Sequence, residues 1–163
     1  MATTTTVATV KRAFVDELGT LAIASALAAA PTSVQVAYAR PPAGQVRSEC
    51  VYFDSGMSTS GAPEQRLSGA RRRRSQDWAL DLVIESSIVS DSENAEQRAF
   101  VIAGAVEDWL ASNAQPAEWP TSPVASGALF VLVDGIRSDL SEAPDGFHSV
   151  TVTLSLMLKE YLV

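Results

Sequence analysis

The stretch "DWALDLVIE" (residues 77–85) decides the fold class, because it alternates apolar and polar residues with the period of a β-strand. The apolar residues of one face are Trp78, Leu80, Leu82 and Ile84. The acidic residues of the other face are Asp77, Asp81 and Glu85. This pattern predicts a long strand with one face in a hydrophobic core and the other in contact with solvent or a polar partner.

Amphipathic helices are predicted on both sides of this strand. Apolar residues recur at steps of three and four over about residues 7–21, and an alanine-rich continuation reaches Pro31. After the strand, Ser90 and Glu93 stand at the spacing of a capping box. We therefore predict a second helix that runs to about Ser112.

Four further segments read as strands. Two are short, "SVQVAYA" (33–39) and "ECVYFDS" (49–55), and two are long, "ALFVLVDGIRSDL" (128–140) and "HSVTVTLSLMLKEYL" (148–162). The long pair is predicted to form a hairpin. The expected fold is a single α+β domain over residues 1–163, with a mostly antiparallel sheet, an N-terminal helix, a central helix and a long terminal β-hairpin.

The last strand carries a polar row of β-favouring residues, Thr151, Thr153 and Ser155. Long strands with such faces pair at their edges unless something covers them. A closed ring of identical subunits would provide that cover.

Residues 56–75 follow no period, and we predict a flexible loop there, because long aperiodic loops are usually functional or disordered. The loop ends in the four arginines Arg71, Arg72, Arg73 and Arg74, a third of the Lys+Arg total of 12 in a chain of net charge -7. Three interpretations are open. The arginines are solvated, they bind carboxylates of a neighbouring subunit in bidentate fashion, or they contact DNA phosphates without sequence preference.

The residues needed for catalysis or metal binding are scarce. Cys50 is the only cysteine and His148 the only histidine, so neither a disulfide framework nor a structural zinc site is possible within the chain. No glycine-rich phosphate loop follows a strand, and the acidic residues of the last hairpin do not have the spacing of a calcium loop. We predict no enzymatic activity, no cofactor and no bound metal.

The overall charge limits the possible partners. A sequence pI near 4.6 argues against broad adhesion to nucleic acid or to a membrane surface. The apolar run "LAIASALAAA" (21–30) is shorter than the roughly 20 apolar residues that cross a bilayer, and Asp16 and Glu17 precede it. We expect the protein to be made in the cytosol.

The order of these features resembles the tail terminator (tail completion) proteins of long-tailed bacteriophages, especially the actinobacteriophage type. The features that carry the resemblance are the N-terminal helix leading to "VQVAYARP", the strand "ECVYFDS", the arginine-led strand "RRRRSQDWALDLVIES", and the helix "AEQRAFVIAGAVEDWLAS" followed by a long hairpin. Together they span nearly the whole chain. The alternative is a head-completion (stopper) or other head–tail connector protein of the neck, which can resemble a terminator in sequence. A monomeric binding module is a third possibility.

The resemblance implies a non-enzymatic virion protein of the tail and neck, assembled in the host cytoplasm. Six copies would form a ring at the head-proximal end of the tail tube, end tube polymerisation and join the tail to the neck. Its partners would be copies of itself, the tail tube protein, the stopper protein, and double-stranded DNA that passes through the lumen without sequence specificity.

In related proteins the loop after the second strand is often flexible until assembly, which corresponds here to residues 56–75. The residues we predict to contact a partner or a neighbouring subunit are Arg71, Arg72, Arg73, Arg74, Asp77, Asp81 and Glu85.

Overall fold

The computed structural model describes residues 3–19, 34–59, 64–66, 73–89, 91–119, 129–142 and 147–162. Its elements in chain order are α1 (Thr3–Leu18), β1 (Gln35–Ala37), β2 (Glu49–Thr59), β3 (Glu64–Arg66), β4 (Arg73–Val89), α2 (Ser92–Ser112), a short 3-10 helix (Pro116–Glu118), β5 (Leu129–Glu142) and β6 (Phe147–Leu162). The strands form one sheet in the order β1-β2-β4-β6-β5, and β3 pairs with the beginning of β4. Only β1 and β2 run parallel, so the predicted α+β fold with a mostly antiparallel sheet is confirmed.

The central strand β4 has the two faces that its alternation predicts. Its apolar residues from Trp78 to Ile84 are buried on the side of the helices. The next strand in the sheet continues this core, because Leu82 lies opposite Leu154 and Ile84 lies opposite Val152. The hairpin of β5 and β6 is also confirmed. We call the side of the sheet covered by the helices the helix face and the other side the open face.

Helix α2 buries the side that the sequence predicts. Its buried residues are Ala95, Ala99, Ile102, Ala103, Val106 and Leu110. The helix begins one residue later than the predicted capping box implies, because Asp91 is the N-cap and accepts a hydrogen bond from the backbone N–H of Asn94 at 2.9 Å. An aspartate carboxylate at this position satisfies one of the free N–H groups of the first turn.

The helix α1 is held by a cluster of aromatic rings. Phe14 lies with its ring centroid 5.6 Å from that of Phe53 in β2, 5.7 Å from that of Trp109 in α2 and 5.5 Å from that of Trp119. The Trp119 indole N–H donates to the carbonyl oxygen of Asn113 at 2.8 Å, which fixes the chain after α2. These contacts join both helices to β2 at Phe53, near the middle of the strand.

One ion pair lies inside this packing. The Arg98 guanidinium donates to both carboxylate oxygens of Glu49, at 2.8 and 3.3 Å. Their side chains are 19% and 5% exposed. The pair links α2 to the first residue of β2, and the two residues are 49 positions apart in the chain.

The long strands extend beyond the helix that covers them. The 17 residues of β4 span about 56 Å at a strand rise of about 3.3 Å, whereas the 21 residues of α2 span about 32 Å at a helix rise of about 1.5 Å. Helix α2 starts just after β4 ends and runs back along it, with Leu110 and Ala111 beside Val131 and Val133 of β5. The beginning of β4, before Trp78, therefore projects past α2.

Several strand predictions need correction. The predicted loop over residues 56–75 was wrong in its described parts, since β2 continues to Thr59, β3 covers Glu64–Arg66 and β4 starts at Arg73. Backbone pairing extends these strands past the apolar alternation on which the prediction rested. Residues 60–63 and 67–72 lie outside the described residues, as do the predicted alanine-rich continuation of α1, the turn between β5 and β6, and Ser90.

The strand that carries the row of Thr151, Thr153 and Ser155 is internal to the sheet. Strand β6 lies between β4 and β5 and is paired on both sides. Among the described strands, the two ends of the sheet are β1 and β5.

Candidate functional site

The three acidic residues predicted to contact a partner lie on the open face. In the pairing of β4 with β6, Asp77 lies opposite Lys159, Asp81 opposite Ser155 and Glu85 opposite Thr151. The Ser155 hydroxyl donates to the Asp81 carboxylate at 2.9 Å. The described part of the open face is therefore polar along Asp77 and Asp81, and a small buried apolar cluster of Cys50, Tyr52 and Val83 lies beside Glu85.

Glu85 is part of a local polar cluster. Its carboxylate accepts a hydrogen bond from the Tyr52 hydroxyl at 2.7 Å and pairs with the Arg40 guanidinium at 3.1 Å. Burial, followed by the hydrogen bond to Glu85, raises the pKa of Tyr52, so the phenol stays protonated and remains a donor. Because its carboxylate is bound on two sides, Glu85 holds the segment after β1 against the sheet.

A cleft of about 410 Å³ opens beside this cluster. Its lining residues are Ala39, Arg40, Tyr52, Phe53, Asp54, Ser55 and Val83. The phenol and the guanidinium that line it are the ones that bind Glu85, so their polar atoms are directed at the sheet.

The only thiol and the only imidazole lie on opposite faces of the sheet. Cys50 lies opposite Glu85 and so belongs to the open face, whereas His148 lies opposite Ile88, which packs against the core on the helix face. This arrangement excludes a Cys50–His148 dyad. Burial, followed by the charge of Glu85, raises the pKa of the Cys50 thiol to about 11.

We expect Cys50 to resist thiol reagents in the folded protein. Reaction requires the thiolate, and a pKa near 11 instead of 9 makes the thiolate about 100-fold rarer at pH 8. Labelling with an aromatic disulfide reagent should therefore be at least about 100-fold slower in buffer than in urea. Comparable rates in the two conditions would contradict the position of Cys50 in the sheet.

The arginine run is divided between described and undescribed residues. Arg71 and Arg72 lie outside the described residues, and Arg73 and Arg74 are the first two residues of β4. In the register with β3, Arg73 lies opposite Arg66 and Arg74 lies opposite Gln65. The sequence analysis missed Arg66, because "EQR" (64–66) has no apolar residue to indicate a strand.

The predicted contact residues that the structure describes do not form a single site. Asp77 follows Arg74 by three positions, but Glu85 follows it by eleven, or about 36 Å at the rise of a strand. We define the arginine end as the ends of β3 and β4 that carry Arg66, Arg73 and Arg74. The arginine end belongs to the part of β4 that projects past α2.

Within the described residues, no group of three or more His, Cys, Asp or Glu side chains is placed to hold a metal ion. Among the helices in the described ranges, none has the length and apolar character needed to span a membrane.

Comparison with known proteins gives limited likenesses. No protein-family model and no curated protein matches the sequence. A chain from the virion of a native gene transfer agent particle is 15% identical with a TM-score of 0.49, over 91% of this chain and 93% of its own. A second solved chain is 17% identical with a TM-score of 0.34, over 83% of this chain and 86% of its own. Neither likeness is close enough to carry a conclusion about function.

Proposed function

We propose that the chain is a structural protein of a long-tailed phage virion, a tail terminator that closes as a six-membered ring at the head-proximal end of the tail tube. In this role it ends tube polymerisation and joins the tail to the neck, without catalysis. The observation that carries the proposal is the ordered set of features in the sequence that resembles this family. The fold supports it, because the four features form one sheet with its two helices and use most of the described residues.

The arginine end is the surface that we assign to docking. The backbone register brings Arg66 opposite Arg73 at this end of the sheet, and guanidinium groups bind carboxylates in bidentate fashion, so carboxylates of a neighbouring subunit, the tail tube protein or the stopper protein would be suitable partners. The chain itself carries 19 Asp and Glu residues, so copies of itself are suitable acceptors.

The open face suits a wall beside passing DNA better than a surface that binds DNA. Its β4 residues Asp77 and Asp81 are acidic, and the cation opposite Asp77 is Lys159. In the described part of this face Lys159 lies opposite Asp77, Arg40 pairs with Glu85 and Arg137 pairs with Asp139, so a passing duplex would meet cations that already have acidic neighbours. The sequence-independent passage of double-stranded DNA is part of the same proposal.

The proposed docking is tested by replacing the arginine run. A variant with serine at positions 71–74 is expected to fold normally but to cap purified tail tubes at least tenfold less efficiently in electron micrographs. The control replaces the exposed Arg12 and Arg47 by serine, which removes two positive charges elsewhere on the surface, and the variant Arg73→Ser with Arg74→Ser removes the same number from the run. If the 71–74 variant caps tubes as the unmodified protein does, the assignment of the arginines is wrong.

A separate measurement tests the terminator role itself. The unmodified protein, mixed with tail tubes, should form six-membered rings at one tube end in class averages. Binding to DNA-filled heads instead of tubes would favour a stopper or another head–tail connector protein. A protein that stays monomeric with both tubes and heads would overturn the proposal.

A further inference from the structure

Strand β5 ends the described sheet with an apolar edge. In the part of the chain that the structure describes, β5 pairs with β6 on one side and with no strand on the other. Ile136 and Leu140 are 49% and 65% exposed, and Leu132 is also exposed. A long, exposed strand edge with apolar side chains is a template for pairing with another chain.

The residues along this edge have a fixed arrangement on the two faces. Ile136 and Leu140 lie opposite Leu154 and Val150, so they belong to the helix face, beyond the cover of α2. Arg137 and Asp139 lie opposite Thr153 and Thr151, so they belong to the open face.

The two charged residues alternate with the apolar ones and are available to a neighbour. The Arg137 guanidinium lies 3.4 Å from the Asp139 carboxylate, and both side chains are largely exposed. Ser138 lies between them in the chain, on the helix face opposite Val152.

We propose that β5 pairs antiparallel with β5 of a second copy of this chain, about a two-fold axis at Ser138. In an antiparallel pair about such an axis, residues at equal distances on either side of position 138 lie opposite each other. Ile136 then lies opposite Leu140 of the second copy, and Arg137 lies opposite Asp139 of the second copy. The symmetry repeats both pairs, so the interface contains two apolar pairs and two pairs of opposite charge.

Neighbouring registers do not have this complementarity. An axis at position 137 or 139 would place two Arg137 residues or two Asp139 residues directly opposite each other, and like charges in such a position are unfavourable. An axis at position 136 would place Arg137 opposite Gly135 of the second copy. Only the register about Ser138 pairs the apolar residues with each other and the cation with the anion.

This pairing does not rest on the proposed function. A six-membered ring requires head-to-tail contacts, whereas a two-fold pair uses the same surface on both copies. The β5 pair is therefore a dimer of the unassembled protein. It covers the β5 edge before assembly and must dissociate before the ring closes. Its tests use the free protein alone, without tubes or heads, so its failure is separate from failure of the terminator role.

The first test is a charge exchange followed by sedimentation velocity. The unmodified protein should reach twice the chain mass as its concentration rises into the micromolar range. Arg137→Asp alone and Asp139→Arg alone should each weaken the association at least tenfold, because each places like charges opposite one another. The double variant with both exchanges should regain the dimer, because it restores opposite charges at both positions.

Both exchanged residues are exposed, so the circular dichroism and unfolding midpoints of the three variants should match those of the unmodified protein at concentrations at which every chain is monomeric. A monomer at every concentration, or a double variant that stays as weak as the single ones, would overturn the proposal.

The second test fixes the register by a disulfide. Opposite Cα atoms of an antiparallel pair are about 4.5–5.5 Å apart, within the range for a disulfide, so Ser138→Cys should cross-link two copies under mild oxidation. In the control Asp134→Cys, the two cysteines would stand eight residues apart along the strands, about 27 Å, and should stay reduced. Background from Cys50 is small, because this thiol is buried. A dimer in which Ser138→Cys stays reduced would show that the register is wrong.

Discussion

Arg98→Ala should lower the free energy of unfolding by about 3–5 kcal/mol, because it leaves the Glu49 carboxylate buried without its partner. In the structure the Arg98 guanidinium donates two hydrogen bonds to this carboxylate, at 2.8 and 3.3 Å, and the alanine variant loses both. Urea unfolding followed by circular dichroism measures the change, with the slope expected to stay constant.

Two further variants separate the buried pair from a surface pair. Arg12→Ala removes the guanidinium of an exposed pair with Asp16, at 3.2 Å and one turn apart on α1, and should cost at most about 1 kcal/mol. Replacing both members of the buried pair, Arg98→Met with Glu49→Leu, should cost less than Arg98→Ala alone, because no charge then stays uncompensated. If Arg98→Ala costs no more than Arg12→Ala, the buried pair does not hold α2 to β2.

Phe14→Ala should lower the free energy of unfolding by a similar amount, about 3–5 kcal/mol. The Phe14 side chain is fully buried, and it contacts rings from β2, from α2 and from the chain after α2. Its removal would leave a cavity at the point where α1 meets the rest of the core. Amide exchange of α1 should then increase more than that of β6.

The matched control for this change is Phe14→Leu, which keeps most of the apolar volume and should cost clearly less than alanine. Fluorescence offers a second readout, because Trp109 and Trp119 lie within 5.7 Å of Phe14, centroid to centroid. An alanine variant as stable as the unmodified protein would mean that α1 is not anchored through this ring.

The parts of the fold that were predictable are those in which one face of an element is apolar. The alternation around Leu80 and Leu154 and the helical spacing of Ala95 and Ile102 are local, and each depends only on which side of the element meets the core. These elements appear in the structure with the predicted faces. The α+β fold class followed from their order.

The parts that were not predictable depend on pairing between distant residues. Strand β3 has no apolar alternation and exists through its backbone pairing with β4, so "EQR" carried no local signal. Strand β6 is internal because it pairs with β4 on one side and with β5 on the other. The polar residues Thr151 and Thr153 do not indicate these pairings, which depend on distant parts of the chain.

The candidate contact residues illustrate the same division. The alternation placed Asp81 and Glu85 correctly on the face opposite the core, but the partners of Glu85 come from a strand and a loop more than 30 residues earlier. The contact roles of Arg71 to Arg74 and of the three acids stay predictions.

The uninterrupted ladder between β4 and β6, from Arg74 to Val89, determines how the molecule carries mechanical load. A pull along the strand axis shears all of these hydrogen bonds together, since each lies across the direction of force. A sideways pull at the projecting end would open them one after another. Single-molecule pulling should therefore record a higher rupture force when the tethers pull along the strand axis than when they pull perpendicular to it within the sheet.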